Sequence, residues 1–245
     1  MLSCNVRYLS SVRILFILSF LCFSCRPGFS QAINYKDLFG DDWKKASVFE
    51  KENRGWMDPL ISKYNISYPL AISIIFPELV RYSALRDKME ITLLKTLYVN
   101  LGEDYADFSI GVLQMKPSFA ETIREQATAV STELPGIVFA ESTEFENIFT
   151  FRKSIVKDLE DPETQINYLV AFIKICEKKF DIRNEDELSR IRFLATAYNY
   201  GINKTAAEIE NMSDKKFFNA KLFKTENYSY ADVSVFWYKE YMSGN

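Results

Sequence analysis

Histidine is missing from all 245 residues. Its absence removes Ser-His and Cys-His nucleophilic machinery and the commonest zinc ligand together. Cysteine is nearly missing too. Of the four, Cys4, Cys22 and Cys25 fall within residues 1–32, so Cys176 stands alone in the remainder and no disulfide can close within it. Stability must come from a core, and 48% hydrophobic with 15% aromatic residues is enough to build one. Cys176 lies on an apolar helical face and reads as a small core residue. A strong charge of either sign is also lacking, the formal net charge being −3. Every charge in 1–32 is basic (Arg7, Arg13, Arg26), so the rest is more acidic than the whole and gives no support to nucleic-acid binding. Beyond residue 32 there is no internal repeat, no low-complexity tract and no apolar run of membrane-spanning length.

Residues 1–32 read as an export signal. Arg7 and Arg13 supply a basic start, and the apolar run 14–23 is shorter than the about 20 residues a bilayer span needs. Small residues at Ser30 and Ala32 place a cleavage site after Ala32. Lipid attachment at Cys25 is the rival reading, with Cys22-Phe23-Ser24 as a poor lipid-attachment box.

The mature segment carries helical periodicity almost throughout. The predicted fold is all-α, with at most a short β-hairpin, as a helical extension over 33–67 and a single domain over 68–245. A first helix is expected from Asp41 or Asp42, turning Trp43, Ala46 and Phe49 inward, and a second over 57–64. A third starts near Pro69, with Pro77 expected to kink or interrupt it. A helix over 87–100 repeats Met89, Leu93, Leu94 and Leu97 as core. Pro117 opens another, to about residue 129, and Pro135-Gly136 breaks the chain. Asp161 caps a helix that has Pro162 in its first turn and Ile166, Leu169, Val170, Ile173 and Cys176 on one face. Helices over 185–200, ended by Gly201, then 205–212 and 230–242 complete the set.

Within the 68–83 segment, YPLAISIIFPELVRYS, one acid stands in apolar surroundings. At helical spacing Ile74 and Ile75 precede Glu78, and Tyr82 follows it. A carboxyl so placed is expected to keep its proton above the ordinary range, which suits a general acid near neutral pH. The plain alternative is a helix-end glutamate facing water or paired with Arg81.

Three separated pieces join this acid into a pattern: Phe76-Pro77-Glu78-Leu79, then Ser109-Ile110-Gly111-Val112-Leu113-Gln114-Met115-Lys116-Pro117, then Ala197-Tyr198-Asn199-Tyr200-Gly201. Together they resemble the lysozyme-like lytic transglycosylases, the SLT superfamily that also includes goose-type lysozyme. That family shows a helix-borne Glu, a Gly-Leu-Met-Gln-Ile-x-Pro loop and an Ala-Tyr-Asn-Ala-Gly segment in this order. Leu79 stands where the family commonly has Ser, Ile110 where it has a small residue, and Tyr200 where it has a small one. The stretch between Glu78 and Gly111 is longer, with the extra 87–100 helix.

The resemblance implies a lysozyme-like domain that cleaves the β-1,4 bond between N-acetylmuramic acid and N-acetylglucosamine. Glu78 would be the single catalytic acid and base, giving 1,6-anhydro ends, and no cofactor or metal would be needed. Gln114, Tyr198, Asn199, Ser109, Gly111 and Met115 would line the substrate. The partner would be peptidoglycan glycan strands in a bacterial periplasm or envelope, with protein partners unknown. Two further outcomes follow from the same residues. A hydrolytic muramidase needs a second carboxylate, for which the Glu103, Asp104, Asp107 cluster is the place to look. An inactive glycan-binding or scaffold protein is the reading that Leu79 and Ile110 favour.

Overall fold

The computed structural model describes residues 33–84, 88–218 and 227–244. The expected export signal and Cys25 lie outside them, as does the side chain of Met89. Ten α-helices are present among the described residues: α1 (Tyr35–Phe39), α2 (Asp41–Ser62), α3 (Tyr68–Ala84), α4 (Lys88–Leu101), α5 (Pro117–Ala127), α6 (Ile148–Glu160), α7 (Pro162–Phe180), α8 (Glu187–Tyr200), α9 (Ala206–Met212) and α10 (Tyr230–Ser243). The strands β1 (Lys216–Phe218) and β2 (Tyr228–Ser229) pair antiparallel. The fold is all-α with one small hairpin, as the periodicity predicts.

Caps fix most helix starts. Asp161 accepts from the Thr164 N–H ahead of Pro162, and Asn147 and Thr205 form reciprocal caps with Thr150 and Glu208. Gly201 ends α8, its N–H closing on the Ala197 carbonyl at 2.9 Å.

Three expectations change. The helices expected at 41 and 57 are one continuous α2, which runs through Gly55 and Pro59. Side chains bridge successive turns on either side of Gly55. Arg54 donates to Glu50, and Trp56 to Asn53. Packing of Trp43, Ala46, Met57 and Ile61 then outweighs the two weak residues. Pro77 does not interrupt α3, which continues to Ala84 because residues 70–80 are buried without a break. Leu93 is not core: it is 61% exposed, while Leu94 and Leu97 are half-buried and Tyr98 takes the interior position. Helix α6, not anticipated, seats Phe151, Ile155, Val156 and Leu159 in the core.

α3 is the central element. It packs against α2, α7, α8 and α10, while α5 and α6 pack on α7 and α4 packs on α6. Its Phe76 lies between Trp43 of α2, at 4.7 Å, and Trp237 of α10, at 5.1 Å. Each such ring contributes roughly 1.5–3 kcal/mol by burial. Residues Tyr35–Asn245 form one compact unit, so α1 and α2 share the core with the rest. No helix among the described residues is long and apolar enough to cross a membrane. Cys176 is a wholly buried core residue whose thiol burial holds well above its ordinary range.

Candidate active site

Glu78 sits on α3 and is 3% exposed, with Leu79 and Val80 beside it in the core. Burial pushes its carboxyl up from 4.5 to about 7, against the opposing pull of Arg81, Tyr230 and Lys116. Both sequence readings of this residue therefore hold at once. The carboxyl is in the interior, and it is also paired with Arg81, whose Nη1 donates to Oε2 at 3.2 Å and to Oε1 at 3.4 Å. The guanidinium lies over the ring of Phe218, 4.8 Å from its centre.

The turn between residues 110 and 115 is followed by Lys116, whose charge acts on this acid electrostatically. Ile110 and Met115 exchange backbone hydrogen bonds of 2.8 and 3.1 Å, closing a tight turn. Gly111 (φ +70°) and Gln114 (φ +50°) are both left-handed. A methyl group on Gly111 would lie 2.5 Å from the Leu159 carbonyl and from the Gln165 amide, so glycine is required on two counts. Gln165, wholly buried on α7, fastens the turn: its Nε2 donates to the Ile110 carbonyl at 2.8 Å and its Oε1 accepts from the Leu113 N–H at 3.2 Å. Gln114 is a glutamine in a conformation that disfavours side chains, held there by its own Nε2 bond to the Gly111 carbonyl at 2.9 Å. Met115 and Leu113 point into the core, whereas Ser109 is half-buried.

Tyr198 on α8 ties the third sequence piece to the second. Its hydroxyl donates to the Leu113 carbonyl at 2.9 Å, and its ring stands edge-on to Phe119 and Phe172. Burial, then the nearby Glu78 charge, raise its phenol. Asn199, next along α8, is exposed, and the helix end is closed by Gly201 without it.

Tyr230 is a member of the site that sequence reasoning did not find. Ser229 caps α10 by accepting from the Asp232 N–H at 3.1 Å and donates to the Ser213 carbonyl at 2.7 Å, which fixes the first turn of the helix. Tyr230 is thereby buried with its phenol close enough to the Glu78 carboxyl for each to shift the other's ionisation. Its hydroxyl nonetheless meets no partner at hydrogen-bonding geometry. The sequence predicts only the start of this helix, at 230, and gives Tyr230 no role.

The acidic loop does not reach this centre. Asp107 accepts from Lys116 at 3.0 Å and from the Ser118 hydroxyl at 2.8 Å, anchoring the start of α5. Glu103 is raised by its own burial and then by Glu121, Asp107 and Asp104. Beyond burial, the groups that act on Glu78 are Arg81, Tyr230 and Lys116, and Tyr198 is coupled to it as well. Among the described residues no group of three or more Cys, Asp or Glu could hold a metal ion. Comparisons with protein-family models, curated proteins and solved structures give no match.

Proposed function

We propose that the protein is an exported lytic transglycosylase of bacterial peptidoglycan, cleaving the bond between N-acetylmuramic acid and N-acetylglucosamine with one acid. The feature that carries this reading is Glu78: a carboxyl buried on α3, paired with Arg81, held up to about 7 by burial, and electrostatically coupled to the phenols of Tyr198 and Tyr230. The resemblance of the three sequence pieces to the SLT superfamily supports the same substrate.

The chemistry follows from that environment. Protonated Glu78 donates to the glycosidic oxygen as the anomeric bond breaks. Its carboxylate, now stabilised by Arg81 at 3.2 Å, takes the proton from the muramoyl 6-hydroxyl. That oxygen closes on the anomeric carbon, and the acid is restored. No water is consumed, and the scheme needs no second carboxylate, unlike a two-carboxylate hydrolase. Tyr198 holds the turn, and the free hydroxyl of Tyr230 is available to steady the carboxyl or a sugar oxygen.

Digestion of purified sacculi followed by mass spectrometry tests it. Anhydro-muramoyl ends, lighter by one water, are expected. Ordinary reducing ends would make the protein a muramidase, and no release of fragments with retained binding would make it a glycan-binding protein.

A further inference from the structure

We propose that Arg81 makes this a site for anionic glycan, binding the free lactyl carboxylate of muramic acid that has lost its peptide. The inference rests on the glycan-cleaving reading above and names the substrate class within it.

The groups acting on the Glu78 carboxyl come from four elements. Arg81 is on α3 itself, Lys116 ends the turn before α5, Tyr198 is on α8 and Tyr230 on α10. The two phenols are neutral, and Lys116 is already paired with Asp107 at 3.0 Å. Arg81 has one counter-charge among the described residues, and that is Glu78. Its other neighbour, Phe218, supplies a ring face and no charge. Its side chain is 25% exposed and that of Glu78 only 4%, so of the pair it is the arginine that meets the surface.

This arrangement has a consequence for the catalytic cycle. Glu78 can act as an acid only while it carries a proton, and in that state Arg81 has lost its partner. A half-buried guanidinium without a counter-ion is costly, and a carboxylate is the group its fork binds best. In wall glycan, a carboxylate on the reacting ring is the lactyl group on the 3-oxygen of muramic acid. Where a peptide is attached that group is an amide and carries no charge. An anion bound at Arg81 favours the protonated form of Glu78, and the protonated form favours the anion, because the two equilibria are linked. The correct substrate therefore arms the acid.

The test uses the full-length chain and glycan strands freed of peptide by an amidase. One portion keeps its lactyl carboxylates and the other has them converted to methylamides. The wild type is expected to show a kcat/KM about tenfold or more higher on the carboxylate form, the size of one charge-assisted hydrogen bond. Its alkaline limb should lie at higher pH on that substrate. Arg81→Gln should level the two rates, and Arg81→Lys should restore part of the difference. Equal wild-type rates on the two glycans, or a preference that survives Arg81→Gln, would overturn the proposal and leave the transglycosylase reading standing. Cleavage of neither glycan, nor of peptide-bearing sacculi, would remove both. A titration of the wild type at pH 6 with N-acetylmuramic acid and N-acetylglucosamine needs no variant. Tighter binding of the former is expected, weakening as pH rises past 7, and equal binding of the two sugars would also overturn the proposal.

Discussion

The phenol of Tyr198 and the carbonyl of Leu113 are joined by a 2.9 Å hydrogen bond across 85 positions of sequence. Through it, the helix that ends in Ala-Tyr-Asn-Tyr-Gly holds the turn that carries Gly111 and Gln114. Tyr198→Phe removes the donor and leaves a buried carbonyl unmet, at an expected cost of about 1–2 kcal/mol in urea unfolding. Wall-cleaving activity should fall further than that loss explains, because the turn is no longer fixed.

Gly111 offers a sharper packing test. Alanine there must adopt φ near +70° and meet the Leu159 carbonyl at 2.5 Å. Left-handed strain and overpacking together should destabilise by at least about 2 kcal/mol. A circular-dichroism melt that leaves Gly111→Ala within error of the wild type would refute the stated need for glycine.

The proton on Glu78 makes stability depend on pH in a stated direction. Its folded value, about 7, is above the 4.5 of an ordinary glutamate, so between these the folded state holds a proton that the unfolded chain has released. Stability is then greatest below about pH 4.5 as far as this group is concerned. It declines as pH rises through the window, and the loss is complete above about 7, amounting to roughly 3 kcal/mol. Glu78→Gln, neutral at every pH, should melt with a flatter profile between pH 5 and 8. Parallel profiles for the two proteins would contradict the burial argument.

Away from the site, Arg124 is 4% exposed and binds the Tyr168 phenol at 2.7 Å, Asp158 at 2.6 Å and the Ser154 hydroxyl at 3.1 Å, joining α5, α6 and α7. Asp158→Ala leaves this buried cation without its charge partner, and a loss of about 3 kcal/mol is expected by chemical denaturation. The loss should be much the same in a Glu78→Gln background, since the cluster is not part of the site.

What could be read from sequence follows how local each signal is. Asp161-Pro162 and the Ile166 to Cys176 stripe specify α7 without help from the rest of the chain. Glu78 was legible for the same reason, because its apolar neighbours stand at helical spacing on the same segment. The two helices expected at 41 and 57 merge across Gly55 and Pro59 because tertiary packing overrides both residues, and Leu93 matched a helical stripe whose covered side runs through Leu94, Leu97 and Tyr98 instead. α6 did carry a signal, the Asn147 cap ahead of Phe151, Ile155 and Leu159, hidden behind the Pro135-Gly136 break. Tyr230 and Gln165 reach the site only through the fold. Nothing within a few residues of either marks it, so no local pattern could have found them. Arg81 was visible as a partner for Glu78, a plain alternative to the buried general acid, whereas the pair is formed with the carboxyl buried.

The most direct measurement compares wild type and Glu78→Gln on intact sacculi at pH 6, with fragment release followed over time. The account expects the variant to fold, to sediment with sacculi as the wild type does, and to release fragments about 10²–10⁴ times more slowly, the usual contribution of a general acid. Release by Glu78→Gln at the wild-type rate would contradict it.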